Sequence, residues 1–238
     1  VKTSLLIDSS GKSRMLGDSK FVDGGVRLIE MEKNIFNEIG IIKSHNLIKK
    51  TLEDLKFNIS YHSENWYKSK ENYGYFPFEV ELVDKSPQLY NAPIYIEILS
   101  DQTFRLTIQT DEFEVSNPAI DTYRKLEKDF NYSAIHAFGE TVVHDYFHFT
   151  LRKPSYKVNL EEFEGLDLFF KLHKISRLTS VYTKKLKVSR TEMQGSIIKL
   201  QTKGPVVKKQ VVFLKKLCEN YIDTKIQERD QIAFNKES

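Results

Sequence analysis

Alternation is the clearest pattern in the chain. In "APIYIEIL", Ile94, Ile96 and Ile98 alternate with Tyr95 and Glu97. In "TFRLTIQT", Phe104, Leu106 and Ile108 alternate with Arg105, Thr107 and Gln109. A period of two marks a strand with one buried face, and the short "SDQ" between the runs joins them as a hairpin. "SLLI" near the start and "YFPFEVELV" at residues 75–83 read as further strands. A second hairpin is expected to turn near Gly139, with "HDYFHFTL" (residues 144–151) in its return strand.

Elsewhere the spacing is helical. "SHNLIKKTLEDLKF" begins at Ser44, a capping residue, and places Ile48, Leu52 and Leu55 on one face. "SNPAIDTYRKLEKDF" offers Ser116 or Asn117 as cap, Pro118 in the first turn, and an apolar stripe of Ile120, Tyr123, Leu126 and Phe130. "NLEEFEGLDLFFKLHKI" sets Asn159 and Glu162 at capping-box spacing. Two strands follow near 181–190 and 196–203, with a turn at Gln194 and Gly195. Gly204 and Pro205 open a long helix whose Val207, Val211, Leu214, Cys218 and Tyr221 recur at four-three-four-three spacing. That stripe suits an intramolecular core, or the seat of a partner helix in a protein complex or homo-oligomer. Residues 26–43 are apolar and fit either period.

These elements predict an α+β fold, with antiparallel hairpins packed with four or five helices and a long C-terminal amphipathic helix. "KPS" at 153–155 suggests a boundary between a mixed portion, 1–155, and a basic helix-hairpin-helix-like portion, 156–238, if the chain is not one continuous domain.

Composition adds limits. The 238 residues are 40% hydrophobic and 29% charged, enough to bury a core and too apolar for disorder. No apolar run approaches the roughly 18 residues that span a membrane. The first ten residues hold too short an apolar segment for a secretory signal. The single cysteine, Cys218, has no disulfide partner within the sequence and reads as a packing residue. The expected setting is cytoplasmic, with no membrane, metal or cofactor.

Charge changes the picture more. The net charge is only +3, but residues 171–216 hold thirteen basic residues against one acid, Glu192. That window carries about +12, leaving about −9 for the remainder, and such a split points to a polyanionic partner. On the first predicted strand Lys185 and Lys187 share a face, and on the second Lys199 and Lys203 do. Paired, the strands make a four-lysine stripe beside Thr183, Ser189 and Gln201. Lys184, Arg190, Lys208 and Lys209 extend the basic region. Lys208 and Lys209 also sit where the helix dipole disfavours cations, at a cost of about 0.3–1 kcal/mol that a bound anion offsets. Such lysines contact phosphates without reading base edges. Tyr182 is the sole aromatic between 174 and 212, so this segment shows no base-stacking platform.

Catalytic motifs are incomplete. His144 and His148 lie four apart, a zinc-binding spacing on a helix, but on a strand they are about 13 Å apart, too far for one ion. "HFTL" at 148–151 resembles the histidine motif of the 2H phosphoesterases, which use two such motifs; a second is missing here. "LGDSK" at 16–20 resembles the GDSL hydrolases, which would make Ser19 the nucleophile with His148 and Asp145 from "DYFH" behind it. The Gly-x-Asn-Asp block of that family is absent, and on a strand Asp145 and His148 face apart. "SSGKS" lacks the first glycine of a phosphate-binding loop. His144, Tyr146, His148 and Thr150 would form one polar strand face, with Phe147, Phe149 and Leu151 pointing into a core.

Three functions remain, in order. The first is an accessory or processing protein that grips DNA or RNA backbone through the basic C-terminal segment. The second is an assembly subunit using the C-terminal helix. The third is a hydrolase or nuclease centred on His148, His144 or Ser19.

Overall fold

The computed structural model describes residues 1–6, 35–117, 122–190 and 197–237. Two compact units emerge, and each threads differently from two consecutive pieces meeting near residue 155. One unit comprises residues 1–55 and 175–238, and the other residues 56–174. The first begins with β1 (Lys2–Leu6), α1 (35–42) and α2 (His45–Asp54).

The second unit then runs through ten strands among the described residues: β2 (Ile59–Asn65), β3 (Lys68–Asn72), β4 (Glu79–Leu82), β5 (Gln88–Tyr90), β6 (Ile94–Ile98), β7 (Thr103–Asn117), β8 (Thr122–Ala137), β9 (Thr141–His144), β10 (Phe147–Arg152) and β11 (Asp167–Leu172). The chain returns to the first unit with α3 (Ile175–Lys185), β12 (Lys187–Arg190), β13 (Ile197–Gln201) and α4 (Val207–Glu237).

The second unit is built from two antiparallel sheets. The larger is seven-stranded, ordered β3-β2-β11-β6-β7-β5, with β8 on the other flank of β7. The smaller is β4-β10-β9. Each is apolar on one face because its strands alternate, and one core takes both faces. Phe104, Leu106 and Ile108 of β7, Ile94 and Ile96 of β6, and Phe170 of β11 meet Val80, Val142, Phe147, Phe149 and Leu151 in that core. The rings of Phe149 and Phe170 contact edge to face at 5.2 Å. On β7 the buried positions change from even to odd, with Phe113 and Val115 inside. A bulge accounts for the change: the pairing of β7 with β8 shifts between Thr110 and Glu112.

The expected α+β assembly of hairpins packed with helices is therefore wrong for most of the chain. Strand outweighs helix, and large antiparallel sheets dominate. The helix expected from Ser116 onward is strand: Ser116 and Asn117 end β7, and Thr122–Ala137 is β8. Leu126, Phe130 and Tyr132 lie against the core as alternate strand positions, so a spacing of four was shared by both periods. The helix expected from Asn159 is a 3-10 turn, Leu160–Phe163, followed by β11. Asn159 still caps, accepting the Glu161 N–H at 3.2 Å. The first of the two basic strands is mostly helix, since α3 extends to Lys185. The turn at Gln194 and Gly195 falls outside the described residues.

Other expectations hold. The hairpin β6–β7 pairs Ile96 with Leu106 and Ile98 with Phe104. Helix α2 is capped by Ser44, whose Oγ accepts the Leu47 N–H at 3.3 Å, and it buries Ile48 and Leu52. The long helix α4 is present, but its buried face is Phe213, Leu214, Leu217 and Tyr221, while Val207 and Val211 of the expected stripe are exposed. Cys218 is a half-buried free thiol, pushed up from its ordinary pKa by burial and then by Glu219. No helix among the described residues is long and apolar enough to cross a membrane.

Helices α2 and α4 are tied by one buried amide. Asn220 Nδ2 donates to Thr51 Oγ1 at 3.2 Å and to Asp54 Oδ2 at 2.9 Å. Thr51 in turn donates its hydroxyl proton to the Leu47 carbonyl at 2.7 Å. Asn220→Ala is expected to cost about 1–3 kcal/mol, because the Thr51 oxygen stays buried without its donor. Urea unfolding checks this: the midpoint should fall while the slope stays constant.

Candidate nucleic-acid interface

The basic residues of the first unit meet on a three-stranded sheet ordered β1-β13-β12. Lys2 and Lys187 both pair with Gln201, on opposite sides of β13. Ser4 and Ser189 both pair with Lys199. Residues directly opposite one another in antiparallel strands share a face. One face therefore reads Lys2–Gln201–Lys187 in one row and Ser4–Lys199–Ser189 in the next. Strand spacing puts the Cα atoms of Lys2 and Lys187 roughly 10 Å apart, and the two rows roughly 7 Å apart. Lys2, Ser4, Lys187 and Ser189 are exposed, and Lys199 and Gln201 are half-buried.

The sheet turns this face outward because its other face is apolar. Ile198 and Leu200 are fully buried, as are Phe213, Leu214 and Leu217 of α4. The Tyr182 ring of α3 packs on Phe213 at 4.6 Å. At the end of β13, the buried Thr202 hydroxyl donates to Gln210 Oε1 of α4 at 3.2 Å. Gly204 permits this: a Cβ there would lie 2.4 Å from the Gln210 amide nitrogen.

Of the eight basic residues expected at the interface, Lys187 and Lys199 share the sheet face. Arg190 is exposed at the end of β12, opposite Ile198. Lys184 and Lys185 are exposed in the last turn of α3, where cations suit the helix dipole. Lys185 is thus not a strand neighbour of Lys187, and the expected four-lysine stripe does not form. Lys203 is exposed just past β13, and Lys208 in the first turn of α4, which has no acidic residue. Lys209 is buried, 8% exposed, unlike its neighbour Lys208. Lys2 was missed by sequence reading, although its alternation with Ser4 in "VKTSLL" carried the signal. Among the described residues, no acid forms an ion pair with Lys2, Lys187 or Lys199.

The histidine stretch is not one strand. Asp145 and Tyr146 form a turn, His144 ends β9, and His148 lies in β10 opposite Val143. The expected polar face of His144, Tyr146, His148 and Thr150 is therefore broken, while Phe147, Phe149 and Leu151 do enter the core. His144 is part of an aromatic cluster. Its ring stacks on Phe147 at 4.8 Å and contacts Phe130 and Tyr132 at 5.4 and 5.3 Å. Its Nδ1 accepts the backbone N–H of Tyr146 at 3.2 Å, which requires the neutral ring. Ser19 lies outside the described residues. No cluster of three or more metal-ligating side chains occurs among the described residues.

A different constellation was not foreseen. Ser60 Oγ lies 2.6 Å from His173 Nε2 and 2.9 Å from His62 Nε2. The serine has one proton, so it donates to one imidazole and accepts from the other. The three residues come from β2 and the end of β11, over a hundred positions apart in sequence, so no local motif announced them. Ser60 is 4% exposed, which makes it a bridge between strands and not an accessible nucleophile.

No protein-family model matches the chain, and no curated protein matches it significantly.

Burial lowers the pKa of His144; Asp145 opposes the shift and His148 adds to it slightly. The unfolded imidazole takes up its proton near pH 6.5, while the folded one resists until lower pH. As pH falls through about 6.5 the unfolded chain binds more protons, so stability drops. Urea midpoints at about pH 7.5 and about pH 5.5 should differ more in the native protein than in His144→Phe. Equal differences would remove His144 as the source.

Proposed function

We propose that the protein binds nucleic-acid backbone through the outer face of β1-β13-β12, as an accessory or processing factor acting in the cytoplasm. The supporting observation is the register of Lys2, Lys187 and Lys199 on three adjacent strands, unpaired with acids among the described residues. Ser4, Ser189 and Gln201 stand between them as neutral hydrogen-bonding groups suited to phosphate or sugar oxygens. The exposed Lys184, Lys185, Lys203 and Lys208 widen the positive field, and Arg190 stands at the sheet's end. Point charges of this kind hold a backbone and are indifferent to base sequence.

A second reading, assembly through α4, has its own observation. Val207, Val211, Ile222 and Ile226 are exposed on this helix, beside the face that Phe213 and Leu217 bury. A partner helix would cover that strip.

Two measurements test these readings. Filter binding of DNA and RNA should weaken steeply with salt. Changing Lys2, Lys187 and Lys199 to Glu should flatten the plot of log affinity against log salt by roughly 2–3, at about 0.7–0.9 per phosphate contact. Affinity that is the same at low and moderate salt overturns the proposal. For α4, light scattering should report an oligomer whose mass falls in the double variant Val211→Lys, Ile222→Lys. A native protein that is already monomeric overturns the second reading.

A further inference from the structure

The one tryptophan of the chain stands almost free in solvent. Trp66 is 93% exposed and Tyr67 is 68% exposed. Together they form the whole loop of the β2–β3 hairpin, since Asn65 pairs directly with Lys68. Two-residue hairpin loops favour turns with positive φ, and so Asn and Gly. Trp66 and Tyr67 are not among the non-glycine residues with positive φ, which are Lys56, Lys85 and Asn91 among the described residues. Turn chemistry therefore does not explain this pair. The Asn65 side chain compensates, accepting the Lys68 N–H at 3.1 Å and holding the loop shut. The two rings lie edge to face, 5.0 Å apart, and leave their outer faces open.

Charge around the loop is sided. Lys68 and Lys70 pair with Asn65 and Ser63, and so lie on one face of the hairpin. Glu64 and Glu71 lie on the other face, opposite Ser69 and His62. Lys68, Ser69 and Lys70 are exposed. Glu64 accepts the Tyr95 hydroxyl at 2.8 Å, which keeps its carboxylate turned to that side. An anion is thus welcome on the lysine side and repelled on the other. A bilayer, which surrounds an inserted tip, would meet the Glu64 carboxylate beside the loop; a single strand can lie along the lysine face alone.

We propose that this hairpin tip binds unpaired nucleotides, with Trp66 and Tyr67 stacking on bases and Lys68 and Lys70 contacting the adjoining phosphates. The proposal rests on the nucleic-acid reading above and adds a preference for single strands. Stacking on an aromatic face is open to every base but needs one that is not already stacked in a duplex.

The single tryptophan reports on the tip directly. Titrating the 238-residue chain with oligothymidylate should quench its fluorescence to saturation, while a DNA duplex should bind with little quenching. Trp66→Ala should weaken oligothymidylate binding, read by anisotropy of a labelled strand, roughly 5- to 100-fold, and Trp66→Phe should restore most of it. The variant with Lys2, Lys187 and Lys199 changed to Glu should bind more weakly yet show the same quenching when saturated. Oligothymidylate that binds without quenching overturns the tip assignment and leaves the sheet reading standing. Absence of binding at low salt overturns both. Quenching with a weakened-binding phenotype confined to Trp66→Ala supports the tip alone. A blue shift with phosphatidylcholine–phosphatidylserine vesicles, and none of the nucleic-acid response, gives the tip to lipid and overturns the assignment.

Discussion

Each large sheet of this protein is apolar on one face, and that face cannot be left in water. Burying a side chain such as Phe, Leu or Ile contributes about 1.5–3 kcal/mol. The seven-stranded sheet offers Phe104, Leu106, Ile108, Ile94, Ile96 and Phe170, all buried. In this unit β4-β10-β9 helps cover that surface with its own apolar face, through Phe147, Phe149 and Leu151. The pairing constrains what lies outside. Once alternate residues are committed to the core, their neighbours must face outward, and most outer side chains are polar or charged, with Ile135 and Val143 as exposed aliphatic exceptions.

The same rule shapes the sites. Lys2, Lys187 and Lys199 face outward because Ile198 and Leu200 face in. Ser60, His62 and His173 lie on the face of the sheet opposite Ile59, Tyr61 and Leu172, with Ser60 itself buried there. At the β2–β3 tip the paired strands end in the loop, and Trp66 and Tyr67 stay largely exposed. His144 shows the reverse case, a titratable ring drawn into an aromatic cluster, where burial disfavours its charged form.

Sequence reading succeeded where one period was unmistakable. The β6–β7 hairpin and the Ser44 cap are local, set by alternation and by one side chain. It failed where two periods coincide. Leu126 and Phe130 are four apart, which is one helical turn or two strand steps, and only pairing with the long β7 selects strand. Of the strand expected near 181–190, the first half ends α3, whose buried Thr179 and Tyr182 are about one helical turn apart, and only Lys187–Arg190 is strand. For α4, Leu214 and Tyr221 of the regular stripe are buried, but Phe213 and Leu217 complete the buried face, which leaves Val207 and Val211 outside it.

By itself the sequence determined the excess of positive charge in residues 171–216, the two clearest strands, the capped helix and the long C-terminal helix, because composition and near-neighbour spacing are local properties. Tertiary structure decided which lysines stand together. Lys2 joins Lys187 and Lys199 only through β13, across nearly the whole length of the chain, and Lys209 leaves the surface when α4 packs. It also split the histidine stretch at Asp145 and Tyr146 and brought Ser60 to His173. Register and burial are set by pairing between distant segments, and no local pattern encodes them.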